Sequence, residues 1–379
     1  MSNLMKNILV PASVLAGTII GAGVFSLPFV FKEVGLTTGF FYLALFSVIY
    51  FIVYLLYADL IVRTPGDHRF VGFSRIYLGK MGFFFSLFIG LLELFFTLTV
   101  YLILAPSFSG LFVGNNLIYH LFVFWAVGSV IILLNVRKMA ASEFLMVFAI
   151  VAIMALIFIF GINGFIKSDI DFNRLDLSKF LAVGPILFAL SGTLAIPELI
   201  NYFRNAQVPV SLVKKSAALG ALIPFVVYGL FVMGVLGLSG TVSGDAVSGL
   251  IGAVPGFLLG LVGLLGILSL LSSYIVVGLN ARHVLEYDIK LPKIISILAV
   301  LLLPLTLYFS GFQNFVGTIS FVGAVFLPLE IIFIVFMWLR AEKKSEMPPI
   351  LVGKYIRFFI PPILVVFFMV LIYGIITLH

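Results

Sequence analysis

Long apolar runs separated by short polar stretches set the plan of this chain. Eleven runs approach or exceed the roughly 20 residues that a helix needs to cross a bilayer. They fall at 8–31, 38–62, 83–105, 117–135, 143–166, 180–203, 214–238, 252–281, 293–309, 313–339 and 356–378. Strict alternation of apolar and polar positions, the mark of a membrane β-barrel, is missing from them. Two runs are interrupted. The first contains GTIIGAGVFSLP at 17–28, with three glycines and a proline inside twelve residues. Each of these weakens helix continuity. Lipid leaves no unpaired backbone group satisfied, so such a stretch faces protein or a water-filled cavity. The sixth contains SGTLAIP at 191–197. Gly23–Pro28 and Gly192–Pro197 share one pattern: Gly, small or β-branched, apolar, small, aliphatic, Pro. Small residues four apart equally suit a close-packing helix face. Interrupted segments at corresponding places in two halves instead point to a transporter's binding site.

Composition narrows the class. The chain is 63% hydrophobic and 10% charged, with mean hydropathy +1.29. A soluble domain is excluded, and the reading is an all-α polytopic membrane protein. No cysteine is present, so disulfide and thiolate chemistry are excluded. The net charge of +7 is explained by topology, not by nucleic acid. Eighteen of the 22 Lys and Arg residues fall on alternate connections, beginning with Lys6, and four on the others. By the positive-inside rule the N-terminus lies in the cytoplasm and the C-terminus outside, in a cytoplasmic membrane. Lys6 before an apolar run would also suit a cleaved signal peptide, but the match between the halves needs that run retained.

With this parity the first and sixth spans enter from opposite sides. Five spans (8–166), five inverted ones (180–339) and one extra (356–378) fit the count. Among the connections, 63–82 contains DHRFVGFSRIYLG, which reads as a short amphipathic surface helix. The segment 167–179 joins the halves, and 340–354 reads as a linker. The small, polar segment 239–251 reads as an outer loop, with a vestibule cap as the alternative.

GTIIGAGVFSLPFVFKEVG (17–35), LFALSGTLAIPEL (187–199) and SSYIVVGLNARHVLEYDIKLPK (272–293) resemble the first, sixth and eighth helices of amino acid permeases. The resembled proteins belong to the amino acid–polyamine–organocation superfamily, with the hydroxy/aromatic amino acid and amino acid/auxin permeases the nearest in character. The resemblance implies a leucine-transporter-like fold, a five-plus-five inverted repeat with helices 1 and 6 broken. It also implies where an amino acid would bind. A half-helix N-terminus attracts an anion and a C-terminus a cation. Amides near Ala22 and Gly23 would take the substrate carboxylate. Carbonyls near Ile19, Phe188, Ala189 and Ser191, beside Gly192, would take its ammonium. Phe188 would close over the substrate, or it is one of 42 phenylalanines packed in the core.

Sodium-coupled proteins of this fold hold the ion between helices 1 and 8. Here that implies carbonyls of Gly17, Ile20 and Ser269 with the hydroxyls of Ser272 and Ser273; alternatively these serines bond the carbonyl four residues back. Some relatives replace sodium with a helix 5 lysine, and the 143–166 run has none in its interior. A proton would then need a carboxylate, and an ionisable group within a span is functional by default. Glu198 and Glu93 are the proton candidates, followed by Glu330; each could also serve as a structural hydrogen-bond acceptor. Asp59 and Arg63, four apart, read as a local ion pair.

His68, His120, His283 and His379 make no metal spacing. No phosphate loop or nucleophile motif occurs. The expectation is a cation-coupled amino acid symporter, driven by sodium or protons, with no cofactor beyond a sodium ion and with lipid and a small amino acid as partners. An exchanger or facilitator, a substrate sensor, and an integral-membrane enzyme are the alternatives.

Overall fold

The computed structural model describes residues 5–66, 68–114, 116–134, 140–167, 175–344 and 351–377. The 167–179 and 340–354 connections therefore lie partly outside the described residues. Among the described residues every apolar run contains helix. The first span is α1 (Val10–Ile19) followed, after a break, by α2 (Leu27–Val34). Spans two to five are α3 (Leu36–Arg63), α4 (Phe70–Val113), α5 (Leu117–Leu134) and α6 (Ala140–Lys167). The sixth span is again two pieces, α7 (Val183–Leu190) and α8 (Ile196–Asn205). Then follow α9 (Val213–Leu238), α10 (Gly256–His283) and α11 (Lys293–Phe309). The tenth span is α12 (Phe315–Phe321) and α13 (Leu327–Lys344), and α14 (Ile360–Ile376) closes the chain. Among the described residues nine helical stretches are long and apolar enough to cross a membrane. The bent pair Met5–Ile19 and Ala22–Val34, at 52°, makes ten. The remaining run, Lys293–Phe309, is apolar but only 17 residues long.

The amphipathic stretch ahead of the third span is helical from Phe70 and joins α4 through Gly79, whose φ of 77° no branched side chain adopts easily. Phe73, Ser74 and Tyr77 face inward there, while Arg75 and Ile76 are exposed. The tenth span carries a π turn at Val322–Phe326, where Gly323 lets α7 approach: a Cβ on Gly323 would stand 1.9 Å from the Gly184 carbonyl oxygen.

At the centre α4 packs on α10. Around that pair, α1 packs on α9, α6 on α9, and α4 on α13 and α11. Likewise α7 and α8 pack on α3, α13 on α3, and α10 on α6 and α5. α6 and α9 touch backbone to backbone, since a Cβ on Gly161 would lie 2.0 Å from the Gly234 carbonyl oxygen. Close packing through small residues is thus found between these two helices. The outer ring is apolar and exposed, with Phe122, Val130, Ile159, Phe368 and Ile372 turned outward. With no water to satisfy polar groups there, this is the surface of an integral membrane protein.

A pair of charged side chains is almost wholly inside. Asp59 on α3 pairs with Arg63 at 3.2 Å, both side chains almost wholly buried. The same carboxylate accepts from the Trp338 indole of α13 at 2.9 Å and from the Leu351 amide at 2.8 Å. The expected local ion pair is therefore also a long-range staple, with Arg63 donating to the Ala341 carbonyl at 3.1 Å.

Candidate functional site

The two breaks have the same local cause. After α1 the chain leaves helical geometry at Ile20 (ψ 85°) and Gly21 (φ −127°, ψ −154°), then re-enters through a 3-10 turn, Ala22–Ser26. After α7 it leaves at Ser191 (ψ 119°) and Gly192, then re-enters through Thr193–Ala195. Pro28 and Pro197 each stand in the first turn of the resumed α-helix, where a missing N–H costs nothing.

The breaks meet. A Cβ on Gly23 would lie 2.5 Å from the Ala189 Cα, and one on Gly192 would lie 2.5 Å from Ile19 Cγ1. Ile19, Ala22, Gly23, Ala189 and Gly192 are thus gathered in one buried cluster, with Phe188 and Ser191 half-buried at its edge. Phe188 packs against the cluster of Ile89, Phe96, Val322 and Phe326.

The carbonyls freed by the breaks are capped by tyrosines. The Tyr228 hydroxyl of α9 lies 2.7 Å from the Ile19 oxygen and 2.8 Å from the Ala189 oxygen. It has one hydrogen for two acceptors. From α3, Tyr54 donates to the Leu190 carbonyl and Tyr50 to the Leu187 carbonyl at 3.0 Å. These tyrosines escaped the sequence reading. Their signal was present: Tyr50, Tyr54 and Tyr57 recur at helical spacing in an apolar run, so they share one face.

The sodium candidates are divided between the first span, with Gly17 and Ile20, and α10, with Ser269, Ser272 and Ser273. Ser272 is buried and Ser273 half-buried, with Ser273 interacting with the Tyr101 hydroxyl of α4. Among the described residues α10 makes no extended packing contact with α1, which carries Gly17 and precedes Ile20. Tyr101 in turn stands beside the first break, its hydroxyl 3.9 Å from where a Cβ on Gly21 would lie.

The three carboxylates part company. Glu93 and Glu330 are buried at 9% and 5% exposure and line one small cavity of about 60 Å³. Glu198 is exposed and pairs with Arg69 at 3.0 Å, while Arg69 also donates to the Asn280 side chain at 3.3 Å. This cluster joins the approach to α4 with α8 and α10.

At the opposite end lies a cavity of about 880 Å³, lined among others by Phe29, Pro106, Asp245, Asn314, Phe321 and Tyr373. The 239–251 loop borders it. Burial pushes the Asp245 carboxyl up, but the hydroxyls of Ser107, Ser243 and Ser248 and the Ser248 amide outweigh it and hold the group below its ordinary value. Lys32 ties the same loop to the first span by donating to the Gly240 carbonyl at 2.8 Å.

No group of three or more metal-ligating side chains is found among the described residues. The family described as transmembrane amino acid transporter protein matches residues 11–378. No curated protein matches the chain. Among solved structures, MhsT in complex with L-phenylalanine superposes with a TM-score of 0.69 at 17% identity, covering 98% of each chain. A manganese transporter from Eremococcus coleocola gives 0.62 at 13% identity, covering 98% of this chain and 94% of that one. Mhp1, a nucleobase-cation-symport-1 family transporter, gives 0.59 at 12% identity, over 85% and 76%. The leucine-transporter-like fold implied by the three motifs is the fold these proteins share with it.

Proposed function

Since the chain belongs to the family of transmembrane amino acid transporters, we propose that it carries an amino acid across the cytoplasmic membrane by alternating access about its two breaks. The family and the solved neighbours are transporters, not enzymes. The observation that carries the reading is the meeting of Gly23 with Ala189, which sets two interrupted helices face to face in the middle of the molecule. The amides of Ala22 and Gly23 head a resumed helix and suit a carboxylate. The carbonyls of Ile19 and Ala189 share a single hydroxyl hydrogen, and an ammonium would bring them three more. No basic side chain is needed, so a neutral or aromatic amino acid suits the site.

The packing supports the reading of two inverted repeats, 8–166 and 180–339, with 356–378 as an extra helix. Span 1 on span 7 has its counterpart in span 6 on span 2. Span 5 on span 7 answers to span 10 on span 2, and span 3 on span 10 to span 8 on span 5. The distribution of Lys and Arg supports an inside N-terminus and an outside C-terminus. On that orientation the cavity of about 880 Å³ is an outward vestibule with the 239–251 loop at its rim. The Arg69–Glu198–Asn280 cluster closes the cytoplasmic side. Transport is coupled to a cation, sodium or proton.

Uptake of labelled amino acids into proteoliposomes tests this directly, with an inward sodium gradient, an inward proton gradient, or neither. Accumulation under one gradient is expected. Equal uptake without any gradient would mean exchange or facilitated diffusion. No uptake by folded protein would sink the reading.

Removing the Tyr228 hydroxyl leaves two buried carbonyls short of a donor. Tyr228→Phe is expected to cost about 1–3 kcal/mol of stability. Substrate should restore part of that loss, so its upward shift of Tm should be larger in the variant than in the parent protein. Equal shifts would place the ammonium elsewhere.

A further inference from the structure

We propose that Glu93 and Glu330 together form the proton-carrying site of this protein. The proposal rests on the transport reading above and names its coupling ion.

Glu93 stands midway along α4 and Glu330 near the start of α13, and the two helices pack together. Both oxygens of Glu330 lie within reach of the Thr193 hydroxyl, at 2.9 and 3.0 Å. Glu93 has no hydrogen bond or ion pair among the described residues, although it is nine-tenths buried and lines the cavity that Glu330 also lines. A buried carboxylate without a donor is not left charged for nothing.

Among the described residues that line the cavity, Arg69 is the one cation. From α3, Tyr50 and Tyr54 face the pair but donate to the Leu187 and Leu190 carbonyls, and Tyr57 is a neutral phenol on the cavity wall. Arg69 is the cation at the cavity mouth, and its guanidinium is engaged with Glu198 of α8 and Asn280 of α10. His68 and Asp288 are not among the residues that line the cavity, and Asp288 lies within electrostatic reach of Arg69 and His68. Two like charges in a poorly hydrated site do not both ionise; one shared proton resolves the conflict. Phe70, Leu94, Leu194 and Val284 make the remaining wall apolar, so a larger cation finds few oxygens.

Thr193 links the pair to the moving part. It begins the 3-10 turn that follows the break at Ser191 and Gly192. With one proton bound the pair carries a single negative charge, and Glu330 still accepts from Thr193. When that proton leaves to water past Arg69 and Asn280, the two anions repel across the α4–α13 contact. Glu330, still holding the Thr193 hydroxyl, is pushed away from Glu93 and carries the turn with it, so the break that holds substrate is released toward the cytoplasmic side. One proton taken up on one side and delivered on the other accompanies each turnover.

The test uses the full chain in liposomes loaded with a pH-sensitive dye, given a mixture of amino acids outside. Uptake by the parent protein is expected to acidify the lumen. In Glu93→Gln and Glu330→Gln the acidification rate should fall at least tenfold. Acidification by both variants at the parent rate overturns the proposal. So does uptake by the parent protein that needs sodium and moves no protons. If even counterflow exchange is absent from the parent protein, the transport reading itself fails. If the variants do not fold, the parent protein decides through dicyclohexylcarbodiimide, which attacks protonated carboxyls in apolar surroundings. Adducts at Glu93 or Glu330 are expected near neutral pH, falling at least fivefold in alkaline buffer. Absent or pH-independent adducts overturn the proposal.

Discussion

Gly23→Val abolishes uptake while the protein still reaches the membrane in ordinary amounts. The reason is the character of the contact. A Cβ at Gly23 would lie 2.5 Å from the Ala189 Cα, 2.8 Å from its nitrogen and 2.9 Å from its Cβ. These are backbone and near-backbone atoms, so no rotamer change relieves the clash. The two breaks must separate by roughly 1 Å, and misplacement on that scale costs about 100-fold where groups must converge on a ligand. The helices on either side keep their own packing, which is why insertion survives. Gly110→Ala, whose added methyl would meet nothing within 4 Å, is the matched control in α4. Labelled amino acid uptake, normalised to protein in the membrane, reads the result. Parent-level uptake by Gly23→Val would mean that the meeting of the breaks is only a packing contact.

How much of this was legible in the chain depends on the range of each interaction. The two breaks were visible because glycine and proline act locally: Gly21 takes the non-helical conformation that ends α1, and Pro28 sits in the first turn of α2 and marks where the helix resumes. The π turn at Val322–Phe326 was not, since Gly323 alone marks it and the cause is the approach of α7. Tyr228, Tyr54 and Tyr50 were invisible as caps because their carbonyl partners lie 39 to 209 positions away. Ser272 and Ser273 were read as a pair because they are adjacent. Adjacent positions on a helix point about 100° apart, so Ser272 is buried while Ser273 reaches Tyr101 on α4. Glu198 and Glu93 looked alike in an apolar window. Only folding separates them, since α8 turns Glu198 and Arg204 outward whereas α4 buries Glu93 against α13. Nothing local to Glu330 marks its tie to Thr193, which lies 137 positions away.

Asp59→Ala is expected to be the most destabilising single change outside the site, by about 3–5 kcal/mol. Asp59 has no exposed side-chain surface and Arg63 has 1%. Truncation removes a carboxylate that pairs with a buried guanidinium. It also orphans the Trp338 indole N–H and the Leu351 amide, which the same carboxylate accepts. Losing one partner costs more than losing the pair, because the remaining charge must still be desolvated. The double change Asp59→Leu with Arg63→Leu should therefore recover much of the loss. Thermal unfolding in detergent measures both; a loss below 1 kcal/mol for Asp59→Ala would show that the pair is hydrated and incidental. The consequence reaches the site through two helices. α3 carries the Tyr50 and Tyr54 caps and α13 carries Glu330, and the staple joins them at the end where Arg69 and Glu198 meet. A protein with the staple cut holds the tyrosine caps and the carboxylate pair at a less definite separation. Coupling should then fall further than uptake: fewer protons per amino acid, from protein that remains in the membrane.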